Sequence, residues 1–315
     1  MNAGALPLRI GTRGSPLALK QAALVRERLV AAHPALAAPD AIRIETIRTT
    51  GDKVQDRPLA EIGGKGLFSK EIEEALLEGR IDLAVHSMKD METVLRPGLA
   101  IAAMLEREDP RDALLAREGR SVATLPQGAV VGSASLRRRA QLLAARPDLS
   151  VVMLRGNVGT RLEKLASGAV DATILAIAGL KRLGMADRAT AILAPEEMLP
   201  AAGQGAIGVE IRADDPRCRD WLATIDHAPT RIAVAAERAC LAALDGSCRT
   251  PIAVFAEPVE SGRLRLRSLL ALPDGSKVHR DDRTGDARDS AALGRAAGEA
   301  LRGKAEPAFF DAMKH

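Results

Sequence analysis

The sequence predicts an α/β protein of two related α/β domains followed by a smaller α+β domain, and three observations carry that expectation. Short β-branched runs alternate with helical patterns through the first two thirds of the chain, as in parallel α/β architectures. Two segments then recur. Ala129-Val130-Val131-Gly132-Ser133-Ala134-Ser135-Leu136 echoes Ile10-Gly11-Thr12-Arg13-Gly14-Ser15-Pro16-Leu17, each an apolar run, a glycine, hydroxyls and a helix start, and Gly168-Ala169-Val170-Asp171-Ala172-Thr173-Ile174 echoes Gly79-Arg80-Ile81-Asp82-Leu83-Ala84-Val85. From about residue 228 the order changes to a helix, strand-like runs at 252–257, 264–272 and 277–283, and a helix near 290–302.

In order, Leu8-Arg9-Ile10 reads as a strand, and Ser15-Pro16 starts a helix to about Val30, with serine as cap and proline in the first turn. Residues Ile42 to Ile47 alternate like a strand. Ser69 to Leu77 reads as a helix stopped by Gly79, and Ile81 to Val85 as a buried strand leading into His86-Ser87-Met88-Lys89-Asp90. Arg155-Gly156-Asn157-Val158-Gly159-Thr160-Arg161 joins a strand to a helix through two glycines.

Composition excludes several classes. The chain has 315 residues, 47% hydrophobic, enough for more than one core. Met1 to Pro7 lacks a basic segment with a long apolar run, and no stretch approaches the roughly 20 apolar residues of a membrane span. A cytoplasmic protein with no membrane partner is expected. The 45 bases and 41 acids leave a net charge of only +4, and four Phe, one Trp and no Tyr offer few platforms for stacking bases, so no nucleic-acid partner is expected. The three cysteines form no CxxC pair and stand near no histidine at ligand spacing, which argues against a disulfide framework and against a metal site.

One cysteine stands out. Leu244-Asp245-Gly246-Ser247-Cys248-Arg249-Thr250-Pro251 places Cys248 in a polar turn beside Arg249, which favours the thiolate, so that Cys248 reads as an anchor for a covalent ligand. The same residue type is also a common small buried hydrophobe. Cys240, within a helical apolar pattern, is expected in the core, and Cys218, after Pro216-Arg217, at the surface.

The loops after the strands are rich in cations: Arg13, Lys89, Arg137, Arg138, Arg155, Arg161 and Arg182, with Ser15 and Ser135 as hydroxyl donors. Several fall at helix starts, where free N–H groups and the helix dipole attract carboxylate or phosphate. Arg137-Arg138-Arg139 opposes that dipole, which suggests an anionic ligand; a solvated basic surface is the other reading. Asp90, beyond a buried strand and beside Lys89, is placed to stabilise a cationic intermediate or move protons on a nitrogen, or else to pair with an arginine. His86 reads as support for its loop. Two motifs are set aside. Gly203-Gln204-Gly205-Ala206-Ile207-Gly208 has dinucleotide spacing but runs into a strand, and Gly63-Gly64-Lys65-Gly66-Leu67-Phe68-Ser69 lacks P-loop spacing and reads as a glycine loop carrying Lys65, able to close over a ligand.

The segments His86–Asp90, Glu106-Arg107-Glu108-Asp109-Pro110-Arg111-Asp112, Ser135-Leu136-Arg137-Arg138, Leu154–Arg161 and the Cys248 turn, in this order, together resemble the porphobilinogen deaminase (hydroxymethylbilane synthase) family from about Arg9 onward. The resemblance implies two periplasmic-binding-protein-like domains around a cleft, divided as 1–105 with 206–224 and 106–205, and a third domain, 225–315, carrying the cofactor cysteine. It implies a monomeric transferase of tetrapyrrole and heme biosynthesis. Such an enzyme joins four porphobilinogen molecules head to tail with loss of ammonia on a dipyrromethane primer, then hydrolyses off the linear tetrapyrrole. Cys248 matches the thioether anchor of dipyrromethane, and Asp90 matches the catalytic acid that stabilises the electron-poor azafulvene. Arg13, Ser15, Lys89, Ser135, Arg137, Arg138, Arg155, Arg161 and Arg182 match residues binding the acetate and propionate groups, and Lys65 and Phe68 the mobile loop. No metal is implied. Ser247 and Glu92 depart from the glycine and proline common at those positions. The alternatives are a non-catalytic small-anion binder of the periplasmic type, and an acyl hydrolase needing His86 or His227 near Cys248.

Overall fold

A computed structural model describes residues 7–53, 66–246, 250–305 and 309. The chain opens with β1 (Leu8–Thr12), α1 (Pro16–Ala32), β2 (Ile42–Thr46), α2 (Thr50–Lys53), α3 (Lys70–Leu77), β3 (Leu83–Ser87) and β4 (Leu99–Met104). There follow β5 (Asp112–Ala116), β6 (Val130–Gly132), α4 (Leu136–Ala145), β7 (Ser150–Val152), α5 (Val158–Ala166), β8 (Ala172–Ala176), α6 (Ile177–Arg182) and β9 (Ala191–Leu193). The last third holds β10 (Ile207–Arg212), α7 (Pro216–Ala223), α8 (Ala228–Ala243), β11 (Ile252–Val259), β12 (Arg263–Ala271), β13 (Val278–Asp286) and α9 (Ser290–Lys304). Two compact units result: described residues up to 57, from 62 to 107 and from 206 to 231 form one, and those from 108 to 205 and from 232 onward the other.

In the first unit the strand order is β2-β1-β3-β10-β4. Strands β1, β2 and β3 run parallel, while β10 is antiparallel to both β3 and β4. Each strand alternates sides, so that Leu83 and Val85 of β3 join Leu8, Ile10, Val25, Leu29 and Leu222 in one core, while Ala84 joins Ile72, Leu76 and Leu99 in another. Helices α1 and α7 cover one face and α3 the other. Burying apolar area on both faces contributes about 25 cal/mol per Å². Ser15 caps α1 by accepting the Ala18 N–H at 3.2 Å, as the Ser-Pro start predicts.

The second unit repeats this plan. Its first sheet has the order β7-β6-β8-β5-β9, with β6, β7 and β8 parallel and β5 antiparallel to β8 and β9. The internal echo has a physical counterpart: the Asp82 carboxylate accepts the Arg9 N–H at 2.9 Å, and Asp171 accepts the Val130 N–H at 2.8 Å, so each aspartate ties the start of a third parallel strand to the first. These two sheets bear out the pair of related α/β domains. They are mixed rather than purely parallel, because β10 and β5 lie beside strands distant in sequence, which local periodicity does not reveal.

The remaining sheet, β11-β12-β13, is antiparallel throughout. One face packs on α8 and α9 through Ala236, Cys240, Val254, Leu266, Ala297 and Leu301, and the other on Ala140 of α4 and Leu199. A Cβ at Gly298 would stand 2.6 Å from the Cys240 carbonyl oxygen, so only glycine lets α9 approach α8 this closely. Cys240 is core, as expected. Cys218 is not at the surface: it is fully buried against the first sheet, since it stands about one turn before Leu222 and shares the inward face of α7 with it. Burial pushes both thiols up to about 12.

Candidate functional site

In the first unit the site lies beyond the carboxyl ends of β1 and β3, the edge where ligands bind in open α/β sheets. The chain leaves β1 through Arg13 and Gly14 to the Ser15 cap, and leaves β3 through a short 3-10 turn, Met88–Asp90. Met88 anchors this turn: its side chain is buried, and its N–H donates to the Ala206 carbonyl at 3.0 Å. Lys89 and Asp90 are thereby left partly exposed. The Arg13 guanidinium lies 4.1 Å from the centroid of the Phe68 ring, an arrangement that fixes the cation over an apolar face.

These residues converge. Arg13, Ser15, Phe68 and Asp90 line one concavity together with Gln21, His86 and Ser87. Lys89 stands on the same turn as Asp90. The last three lining residues go beyond the sequence-based expectation. Gln21 is a polar side chain on the apolar stripe of α1 (Ala18, Ala22, Val25, Leu29), which was its available signal; its amide donates to Ser87 Oγ at 2.8 Å. His86 does not support a loop. It belongs to β3, which runs two residues further than expected because Ser87 and His86 pair with Ile207 and Gly208, and its Nε2 is 3.1 Å from the buried Glu210 carboxylate. Close by, burial pushes the Glu73 carboxyl up, and the Glu210 carboxylate adds to the rise.

In the second unit the expected cations again follow strand ends. After β6, Ser135 caps α4 by accepting the Arg138 N–H at 3.4 Å. Two side chains of the first turn of α4 point inward onto one acid: Arg137 and Arg138 lie 2.8 and 2.7 Å from the Asp112 carboxylate. The charge set against the dipole of α4 therefore has a partner within the protein, which the run Arg137-Arg138-Arg139 alone did not disclose; only Arg139 is exposed. Burial works to raise the Asp112 pKa, but the two guanidiniums outweigh it and hold the carboxyl well below the usual carboxylate range. After β7, Arg155 is half-buried, Gly156 adopts φ +116, and Arg161 Nε donates to the Gly156 carbonyl at 3.0 Å. Arg182 is in the last turn of α6, not at a helix start, and donates to the Gly205 carbonyl at 2.6 Å; burial lowers its pKa. Gly203 and Gly205 form a turn running straight into β10, so the dinucleotide spacing is without its helix.

Cys248, Ser247 and Lys65 lie outside the described residues. Glu92 Oε1 accepts the Gly66 N–H at 3.0 Å, a bond the proline common there could not make. No helix among the described residues is long and apolar enough to cross a membrane.

Fold and site define an α/β protein whose strand ends present guanidiniums, hydroxyls and one partly exposed carboxylate, a class suited to small molecules bearing several carboxylates. The family described as porphobilinogen deaminase, dipyromethane cofactor binding domain, matches residues 8–220, and the corresponding C-terminal domain matches residues 231–303. The chain is 59% identical to the porphobilinogen deaminase of Paracoccus denitrificans, covering 97% of this chain and 96% of that one. It is 54% identical to the chloroplastic porphobilinogen deaminase of Oryza sativa, covering 98% and 86%. The chain belongs to the porphobilinogen deaminase family, and its activity is that of a porphobilinogen deaminase: a transferase of tetrapyrrole biosynthesis with a dipyrromethane cofactor. Among solved structures it is similar to a periplasmic substrate-binding protein of an ABC transporter from Coxiella burnetii, with a TM-score of 0.41 and 17% identity, covering 73% of this chain and 96% of that one.

Proposed function

We propose that the chain builds hydroxymethylbilane from four porphobilinogen molecules on a dipyrromethane held by a Cys248 thioether, with Asp90 as the group acting at the reacting centre. The observation that carries this reading is the convergence of Arg13, Ser15, Phe68 and Asp90 on one concavity. The donor set suits the cofactor: acetate and propionate groups call for guanidinium and hydroxyl donors, and pyrrole N–H groups call for an acceptor such as a carboxylate. When bound, dipyrromethane supplies the free pyrrole carbon on which elongation begins.

The chain's own residues then divide the work. Arg13 and Ser15 bind carboxylates, and the ring of Phe68 keeps the Arg13 guanidinium from swinging into solvent. Asp90 accepts pyrrole N–H bonds and offsets the positive charge that develops as ammonia leaves. Lys89, Ser135, Arg137, Arg138, Arg155, Arg161 and Arg182 bind the further carboxylates that accumulate during elongation, each charge-assisted bond contributing about 1.5–3 kcal/mol. Lys65 belongs to the covering loop with Phe68. The division into 1–105 with 206–224, 106–205 and 225–315, the cytoplasmic location and the monomeric state belong to the same reading; separate apolar cores for the three sheets support the first of these.

An intact-mass spectrum of the denatured protein beside Cys248→Ala tests the reading. A covalent excess equal to two deaminated porphobilinogen units, absent from the variant, is expected. The same excess retained in Cys248→Ala, or no uptake after incubation with porphobilinogen, defeats the assignment of the anchor.

A further inference from the structure

We infer that Asp112, steadied by Gln204, is a positioning residue for substrate and cofactor carboxylates, because it aims the guanidiniums of Arg137 and Arg138. The inference rests on the reading that these two arginines bind ligand carboxylates. Strand β5 runs antiparallel to β8, so its first residue, Asp112, comes level with the last residue of β8, Ala176. This puts a fully buried acid at the edge of the sheet where β6 ends and α4 begins.

Two cations meet there. Arg138 donates to Asp112 Oδ1 through Nε at 3.2 Å and one terminal nitrogen at 2.7 Å, and its other terminal nitrogen donates to the Ile174 carbonyl at 3.0 Å. Arg137 faces Asp112 Oδ2 at 2.8 Å and donates to the Leu199 carbonyl at 2.6 Å. The Gln204 amide, from the turn before β10, donates to Asp112 Oδ1 at 2.9 Å and to the Pro110 carbonyl at 2.7 Å. Both guanidinium planes are thus fixed from two sides.

The charges do not cancel. Two guanidiniums and one carboxylate leave a surplus positive charge at side chains that are 5% and 8% exposed. A purely structural cluster would gain by neutrality, since a buried uncompensated charge is costly. A cluster that awaits one more carboxylate has this composition. The known bonds use three of the five N–H groups of Arg138, and Arg137 Nε has no partner among the described residues, so donors remain for that anion. Burial and the neighbouring cation lower the Arg137 pKa, while Asp112 acts against them and keeps the guanidinium charged.

The test uses full-length apo protein incubated with porphobilinogen, with covalent uptake followed by intact mass and steady-state KM and kcat measured on the holo form. Asp112→Asn keeps the shape but cannot hold two cations. It is expected to raise the half-saturating porphobilinogen concentration for uptake, and KM, about tenfold or more, with kcat changed less. Arg137→Ala and Arg138→Ala serve as reference. If they raise these constants and a folded Asp112→Asn does not, Asp112 is structural and the inference fails while the carboxylate reading stands. If the arginine variants also leave them unchanged, the carboxylate reading fails and takes the inference with it. Should Asp112→Asn not fold, Gln204→Met, which leaves both ion pairs, decides: a rise of about threefold supports the inference, and no rise overturns it.

Discussion

The two mixed sheets share strand order, a serine-capped helix after the first strand and an aspartate tying the third strand to the first, yet the buried acids of their fourth strands meet different partners. Each antiparallel fourth strand carries a buried acid. In the first unit it is Glu210 of β10, answered by the imidazole of His86, and the site's own acid, Asp90, stays partly exposed on its turn. In the second it is Asp112 of β5, answered by two guanidiniums, and no comparable acid follows the third strand, where β8 runs directly into α6. One scaffold thus leaves a partly exposed carboxylate beside Arg13 and Lys89 in one unit and two buried guanidiniums on one acid in the other. The difference is made by what faces the fourth strand, not by the strand order.

Substitution of the acids should separate the two regions most clearly. Asp90→Ala is expected to lower turnover by about 10²–10⁴-fold while the unfolding free energy in urea stays within about 0.5 kcal/mol of the parent. A small rate effect, or a large loss of stability, would break the contrast. Asp112→Ala should do the reverse first: leaving two buried guanidiniums uncompensated is expected to cost about 3–5 kcal/mol in urea unfolding of the whole chain.

Acid titration sharpens this further. The Asp112 carboxyl lies below its unfolded value, which is about 3.9, so its contribution to stability is complete above that pH and is lost as pH falls through the lower folded value. The stability difference between the parent and Asp112→Asn should therefore hold steady from neutrality to about pH 4 and shrink only below it. A difference that fades between pH 7 and 5 would mean that another group carries it.

The thiols mark a smaller contrast. Cys218 and Cys240, buried and pushed up to about 12, should take up no iodoacetamide at pH 8 in folded Cys248→Ala, as peptide mass spectrometry would show. The smallest effect is expected at Phe68, where Phe68→Leu removes the ring from under Arg13; about 0.5–1 kcal/mol, seen as a few-fold rise in KM with kcat nearly unchanged, is expected.

Much of this was legible along the chain. Ser15-Pro16 marks the start of α1, Gly79 with φ +69 marks the end of α3, and the change of order after residue 228 marks the antiparallel sheet, because caps, left-handed glycines and alternation act over a few residues. The same holds for Arg13, Ser15 and Asp90, whose positions follow from being next after a strand. What local pattern could not supply was any pairing between distant segments. The strand after Gly208 reads as one of undetermined neighbourhood and Asp112–Ala116 draws no reading as a strand, and only their antiparallel insertion extends β3 to Ser87 and carries Asp112 to the end of β8. Cys218 reads as a surface residue from its place after Pro216-Arg217, while the face it presents is set by the packing of α7. Arg137 and Arg138 looked unanswered because their partner stands 25 and 26 residues earlier. A chain specifies its elements and reactive side chains through short-range sterics and hydrogen bonding; which buried charge meets which is decided when the sheets close, since burial makes each such partnership obligatory.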